Sequence, residues 1–165
     1  MSGIAGFYNT AVSQLQEEAE TILRRMTDSI RHRGPDDSGI WHDTRHGVGL
    51  GFRRLAVRDF SASGHQPMAS ADNRYVIVFD GRVYNYASLR GEWLGLGHIF
   101  QGRSETEVLL ACIRQWGLQA AVRRFNGMFA FALWDVDNRS LHLGRDRMGV
   151  KPLYYGWLGK SLVFG

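Results

Sequence analysis

The chain has 165 residues, 44% of them apolar and 22% charged, with a formal charge of +4. That length suits one domain with a real core, and the composition excludes a disordered chain. No apolar run approaches the roughly 18–20 residues needed to cross a bilayer, the first residues show no secretory h-region, and the single cysteine, Cys112, excludes an internal disulfide or a multi-cysteine zinc site.

A reducing, cytoplasmic compartment is therefore expected. Basic residues come in scattered pairs, such as Arg24-Arg25, Arg53-Arg54 and Arg123-Arg124, with acids between them. This pattern describes a solvated surface rather than a nucleic-acid footprint. The short apolar run Ile4–Tyr8 predicts a buried first strand. Leu15, Ala19, Ile22, Leu23, Met26 and Ile30 then recur at helical spacing, with glutamates early and arginines late, as the helix dipole favours. The segment Arg33-Gly34-Pro35-Asp36-Asp37 breaks that helix.

Strands are predicted over 39–42 and 48–57, joined by a turn at 43–47, and over 75–79, ending at Asp80-Gly81. A second helix is expected over 86–94. Ser104 with Glu107 three residues later forms a capping-box pattern that opens a third helix, with Val108, Leu109, Ala111, Cys112, Ile113 and Trp116 facing a core. The last forty residues read as a β-meander with strands over 128–134, 141–144, 153–157 and 162–164. Antiparallel strands with helices in blocks predict an α+β domain. The chain stops within a strand pattern, so a longer protein is expected, with Leu162-Val163-Phe164 exposing apolar surface or an open edge.

Read from the residues alone, chemistry is sparse. Ser2 combines a hydroxyl with a free α-amine once Met1 is removed, and such an amine can act as a base near neutrality. By itself this is an ordinary small residue after Met. The six histidines show no helical i, i+4 pair, so a metal site is not expected. No phosphate-binding glycine loop is visible, and Cys112 reads as a small buried hydrophobe.

Eight ordered segments change this reading. Among them are Met1-Ser2-Gly3-Ile4, Arg33-Gly34-Pro35-Asp36-Asp37, Arg53-Arg54-Leu55, His65-Gln66-Pro67, Asp80-Gly81-Arg82-Val83-Tyr84-Asn85 and Ser104-Glu105-Thr106-Glu107. The others are Asn126-Gly127-Met128-Phe129-Ala130 and Arg145-Asp146-Arg147-Met148-Gly149-Val150-Lys151-Pro152-Leu153. Together they resemble the N-terminal glutaminase domain of glutamine-hydrolysing asparagine synthetases, the class II glutamine amidotransferases. The resemblance implies an N-terminal-nucleophile hydrolase fold, a four-layer αββα sandwich with two antiparallel sheets. It implies that residues 1–165 are one amidotransferase domain, followed by an ATP-dependent synthetase domain as partner. ATP and Mg belong to that second domain, with no cofactor expected here. Glutamine or a related amino acid is the expected ligand if the pocket works, with no nucleic acid or membrane partner, and a homodimer is left open.

In the family the residue after Met1 is a nucleophilic cysteine, and here it is Ser2. An asparagine-glycine pair forms the oxyanion hole, and here the pair is Asp80-Gly81. A glutamate that helps bind the substrate amine is replaced by Arg82, and an aspartate for the ammonium by Glu105. The resemblance also assigns Arg54 to the substrate α-carboxylate and Arg33 to the side of the nucleophile. A serine hydroxyl is far less ionised than a thiol near pH 7. A carboxylate offers acceptors where an oxyanion needs donors, and one lost donor costs about 10²–10³ in rate. Arg82 near an ammonium would cost on the order of 4 kcal/mol at about 4 Å. Three of these changes in one pocket, Ser2, Asp80 and Arg82, imply a degenerate glutaminase site. An active enzyme with Ser2 as nucleophile and a non-catalytic amino-acid-binding module remain the alternatives.

Overall fold

The computed structural model describes residues 2–9, 16–57 and 62–165. Met1 lies outside these residues, as do Leu15 and the stretch 58–61. Among the described residues nine strands form two sheets, and every pairing is antiparallel. The first sheet holds β2 (Asp37–Asp43), β3 (Val48–Arg54), β1 (Gly3–Asn9), β9 (Ser161–Phe164) and β8 (Tyr155–Leu158) in that order. The second holds β4 (Met68–Ala69), β5 (Tyr75–Val83), β6 (Gly127–Asp135) and β7 (Ser140–Arg145).

Strand alternation produces the layers, because successive side chains point to opposite faces. Val76 and Val78 of β5, with Ala130, Ala132 and Trp134 of β6, meet Ile4, Leu50, Phe52 and Phe164 between the sheets. Tyr75, Ile77, Phe79, Phe129, Phe131 and Leu133 point the other way, against α2 (Tyr86–Gly95), α3 (Glu105–Trp116) and α4 (Leu118–Arg124). On the far side of the first sheet, Phe7 packs with Ala19 and Leu23 of α1 (Gln16–Ser29). The order is helix, sheet, sheet, helices, the αββα sandwich that the sequence implied.

Several boundaries differ from the sequence reading. β5 continues through Asp80-Gly81 to Val83 instead of ending there, and Gly81 faces Phe129 across the ladder. A side chain at position 81 would collide with the backbone of Met128 and Phe129, so this glycine permits close strand approach rather than a turn. Ile22 is exposed, while Thr27 is buried with its hydroxyl donating to the Leu23 carbonyl. Ser104 caps α3 by accepting from Thr106 N at 3.2 Å. Glu107 reaches back to the amides of Gln101 and Gly102 rather than to Ser104.

The expected open edge at 162–164 is also corrected. β9 pairs with β1 on one side and β8 on the other, and Phe164 is buried. The exposed apolar side chains of this region are Tyr154, Tyr155, Trp157 and Leu158, on and beside the edge strand β8. The local pattern marked both segments as strands but could not say which one was interior. Among the described residues no helix is long and apolar enough to cross a membrane.

Candidate functional site

Both sheets contribute to one pocket of about 650 Å³, and Ser2, Arg54, Asp80, Arg82, Glu105 and Lys151 line it. Six of the seven residues singled out in the sequence are among its lining, and the seventh, Arg33, bonds to two of them. The first sheet supplies Ser2, just before β1, and Arg54, the last residue of β3. Their proximity follows from antiparallel pairing, which sets Gly3 opposite Arg53. Ser2 Oγ accepts from Leu55 N at 3.1 Å. Arg33, from the short 3₁₀ turn Arg31–Arg33, donates from Nε to the Ser2 carbonyl at 3.0 Å. Gly64 makes room for Arg54, because a β-carbon there would collide with the guanidinium.

The second sheet supplies Asp80 and Arg82, both on β5. Asp80 is 5% exposed, and its carboxylate is engaged on both oxygens. Lys151 Nζ donates to Oδ1 at 3.1 Å and to Oδ2 at 3.0 Å, while Arg33 Nη2 donates to Oδ2 at 3.3 Å. Lys151 is itself only 4% exposed. A lysine this deep is tolerated when paired, since a buried unpaired charge is strongly unfavourable. Sequence reading assigned it no role. A lysine in a glycine-containing loop carries no local sign that it will meet a carboxylate 71 positions away.

Asp146 builds the loop that aims Lys151. Its carboxylate accepts from Met148 N at 3.1 Å, Val150 N at 2.9 Å, Lys151 N at 3.0 Å and Phe129 N at 3.2 Å. Burial pushes its pKa up, but the four amide donors outweigh that, and the carboxyl sits below its ordinary value. A second ion pair lies beside the first. Arg82 Nη1 donates to Glu105 Oε1 at 3.2 Å, and Val83 N donates to Glu105 Oε2 at 3.2 Å. Gln66 pins β5 just before the site, accepting from Phe79 N at 2.6 Å and donating to the Phe79 carbonyl at 3.2 Å.

Ion pairs alter the charge that a substrate would meet here. The negative charge of Asp80 is offset by Lys151 and Arg33, so it opposes an oxyanion less than a bare carboxylate would. The absence of an Asp80 donor stands. Arg82 is not a bare cation either, because Glu105 neutralises it. By the same contact, Glu105 is occupied by a protein cation. Cys112 lies outside the pocket, buried on α3, where Trp93 Nε1 approaches its sulfur at 3.2 Å and burial pushes the thiol pKa up. It is inert by this measure. Among the described residues no group of three His, Cys, Asp or Glu is placed to hold a metal ion.

Comparison with known proteins completes the picture. A family model described as "Glutamine amidotransferase domain" matches residues 1–165. The chain is 40% identical over 164 residues to asparagine synthetase [glutamine-hydrolyzing] 1 of Bacillus subtilis, covering 99% of this chain and 25% of that protein. It is 43% identical to asparagine synthetase [glutamine-hydrolyzing] 3 of the same organism, covering 100% and 26%. A third relative, "Amidase chry2" of Gibberella zeae, is 39% identical over 147 residues, 89% of this chain and 21% of that one. Among solved structures, glutamine phosphoribosylpyrophosphate amidotransferase from B. subtilis, complexed with ADP and GMP, superposes with a TM-score of 0.80 at 21% identity. That match covers 99% of this chain and 41% of the other, and it supports the fold. The chain spans about a quarter of the length of the curated relatives it matches.

Proposed function

The chain belongs to the glutamine amidotransferase domain family, and on that premise we propose that it is a glutaminase-type domain whose amide-hydrolysing site is out of use. The carrying observation is the Asp80 carboxylate, held on both oxygens by Lys151 and on one by Arg33, at the position that the family resemblance assigns to an oxyanion donor. An oxyanion hole works by donors fixed in advance. Here the side chain at that position is an acceptor, already held by cations on both oxygens.

The pocket's other departures support the same reading. The hydrogen bond that reaches Ser2 Oγ comes from a backbone amide, which donates and does nothing to remove the hydroxyl proton. Glu105, the acid proposed for a substrate ammonium, is spent on Arg82 and Val83 N. In this proposal the domain is part of a longer ATP-dependent, amide-forming ligase of asparagine-synthetase type. ATP and Mg would act in a C-terminal synthetase domain, and the nucleophile there would be free ammonia or an amine. The names of the curated relatives and their fourfold greater length support that assignment.

The test is ammonia release from glutamine by the protein with Met1 removed. The wild type is expected to give none above background. Ser2→Cys alone should stay at least about two to three decades short in kcat/KM of a working site, since one oxyanion donor is still missing and Glu105 is still occupied by Arg82. Ser2→Cys combined with Asp80→Asn and Arg82→Glu should recover much more. The asparagine keeps an oxygen for Lys151 and adds an amide donor, and removing the arginine frees Glu105. Turnover by the wild type would overturn the proposal and favour Ser2 as an active nucleophile.

A further inference from the structure

β8 is the outer strand of the first sheet, and among the described residues no strand pairs with its outer side. The other sheet edges are guarded in the ways that edges usually are, by charge or by shortness. β2 carries Asp37 and Asp43, β7 carries His142 and Arg145, and β4 is two residues long. β8 reads Tyr155-Gly156-Trp157-Leu158, with no charge and no proline. Both of its faces are bare. Tyr155 and Trp157, on the face that carries Phe164, are 71% and 65% exposed, and Tyr154 and Leu158, on the opposite face, are 76% and 73% exposed. The ladder fixes which backbone groups are left over. Tyr154 and Gly165 exchange both of their N–H···O bonds. Hydrogen-bonded pairs alternate along an antiparallel ladder, so Gly156 and Leu158 also turn their backbone groups toward β9, while Tyr155 and Trp157 turn theirs to the open edge.

We propose that this edge is a self-association surface, on which β8 of a second copy of this chain pairs antiparallel about a twofold axis at Gly156. A twofold axis perpendicular to the sheet leaves each side chain on its own face, so it passes through one residue and pairs neighbours equally far from it. At Gly156 it sets Tyr155 of each copy opposite Trp157 of the other, and these are the residues whose N–H and C=O groups are turned to the edge. Aromatic meets aromatic on one face and Tyr154 meets Leu158 on the other, cross-strand pairs of the kind that stabilise sheets. An axis at Trp157 would instead pair Tyr155 with Gly159, which lies in the turn with a positive φ. The axis residue is the one position without a side chain, and no heavy atom lies within 4 Å of where its β-carbon would be. At these exposures three aromatics of about 150–250 Å² each, with Leu158, present on the order of 500 Å² per copy. Both copies together reach about 1,000 Å², the lower bound for a specific interface, so the dimer forms at micromolar rather than nanomolar concentration. The proposal is independent of whether the pocket hydrolyses glutamine.

Sedimentation velocity of the chain across about 1–100 μM tests this. The wild type should pass from monomer to dimer in that range and go no further, because a twofold contact closes on itself. Tyr155→Glu combined with Trp157→Glu sets like charges opposite one another and should weaken association at least tenfold. Tyr155→Lys combined with Trp157→Lys should do the same. Mixing the two variants should restore a dimer, since each glutamate then faces a lysine, and this restoration also shows that both variants are folded. A wild type that is monomeric at about 100 μM would overturn the proposal. So would a dimer that both variants leave unchanged, a mixture no more associated than its parts, or assembly that runs past the dimer.

Discussion

The pocket has one wall from each sheet, and the two walls hold their functional side chains by different means. On the five-stranded side, backbone groups hold Ser2 and one end of Arg33, whose other end reaches across to Asp80: the Leu55 amide meets Ser2 Oγ, and the Ser2 carbonyl takes Arg33 Nε. On the four-stranded sheet, side chains hold side chains, with Asp80 on Lys151 and Arg82 on Glu105. A wall built on backbone contacts can lose one side chain without stranding another. A wall built on ion pairs cannot, because removing one partner leaves a buried charge uncompensated. Of the four resemblance-based departures, Asp80, Arg82 and Glu105 lie on the ion-paired wall and Ser2 lies on the other.

Substitutions that separate the walls should rank accordingly. Asp146→Ala should have the largest effect, about 4 kcal/mol of stability, because it leaves four amides and the Lys151 loop without their acceptor. Chemical denaturation measures this directly, and a cost under about 1 kcal/mol would mean that the loop does not depend on Asp146. The pH dependence has a definite sign. The folded pKa of Asp146 lies below its ordinary value, so the unfolded state binds more protons in the acid range. The stabilising contribution is present above the unfolded value of about 3.9 and is lost as the pH falls through the depressed folded value. The acid limb of the wild-type stability curve should therefore be steeper than that of Asp146→Ala.

A smaller contrast compares one residue from each wall. Arg82→Gln should cost about 2 kcal/mol, since the mostly buried Glu105 keeps only the Val83 amide. Ser2→Ala should cost about 1 kcal/mol or less, the value of one ordinary hydrogen bond. Equal costs measured by urea unfolding would erase the distinction between the walls.

Much of this was legible in the sequence, and the failures have common physical causes. The pattern of apolar runs placed eight of the strands near their observed positions, and the family resemblance carried by the ordered motifs assigned Ser2, Arg33, Arg54, Asp80, Gly81, Arg82 and Glu105 to one site. What it missed depended on contacts distant in sequence. The two-residue β4 exists only because Met68 and Ala69 pair with β5. The seven-residue α4 is short, and its buried Ala121 gives little periodic signal. Gly81 reads as a turn until Phe129 is seen across from it. Lys151 is the largest omission, because nothing local reveals its pairing with Asp80.

That pairing is also where the account is most exposed. A double-mutant cycle of Asp80→Ala, Lys151→Met and the combined variant, measured by urea unfolding, isolates it. Each single change should cost about 3 kcal/mol. The double variant should cost less than their sum by about 2 kcal/mol or more, because neither charge is then left buried alone. Additivity within about 0.5 kcal/mol would show that Asp80 and Lys151 do not hold one another, and would contradict the claim that this carboxylate is sequestered from catalysis.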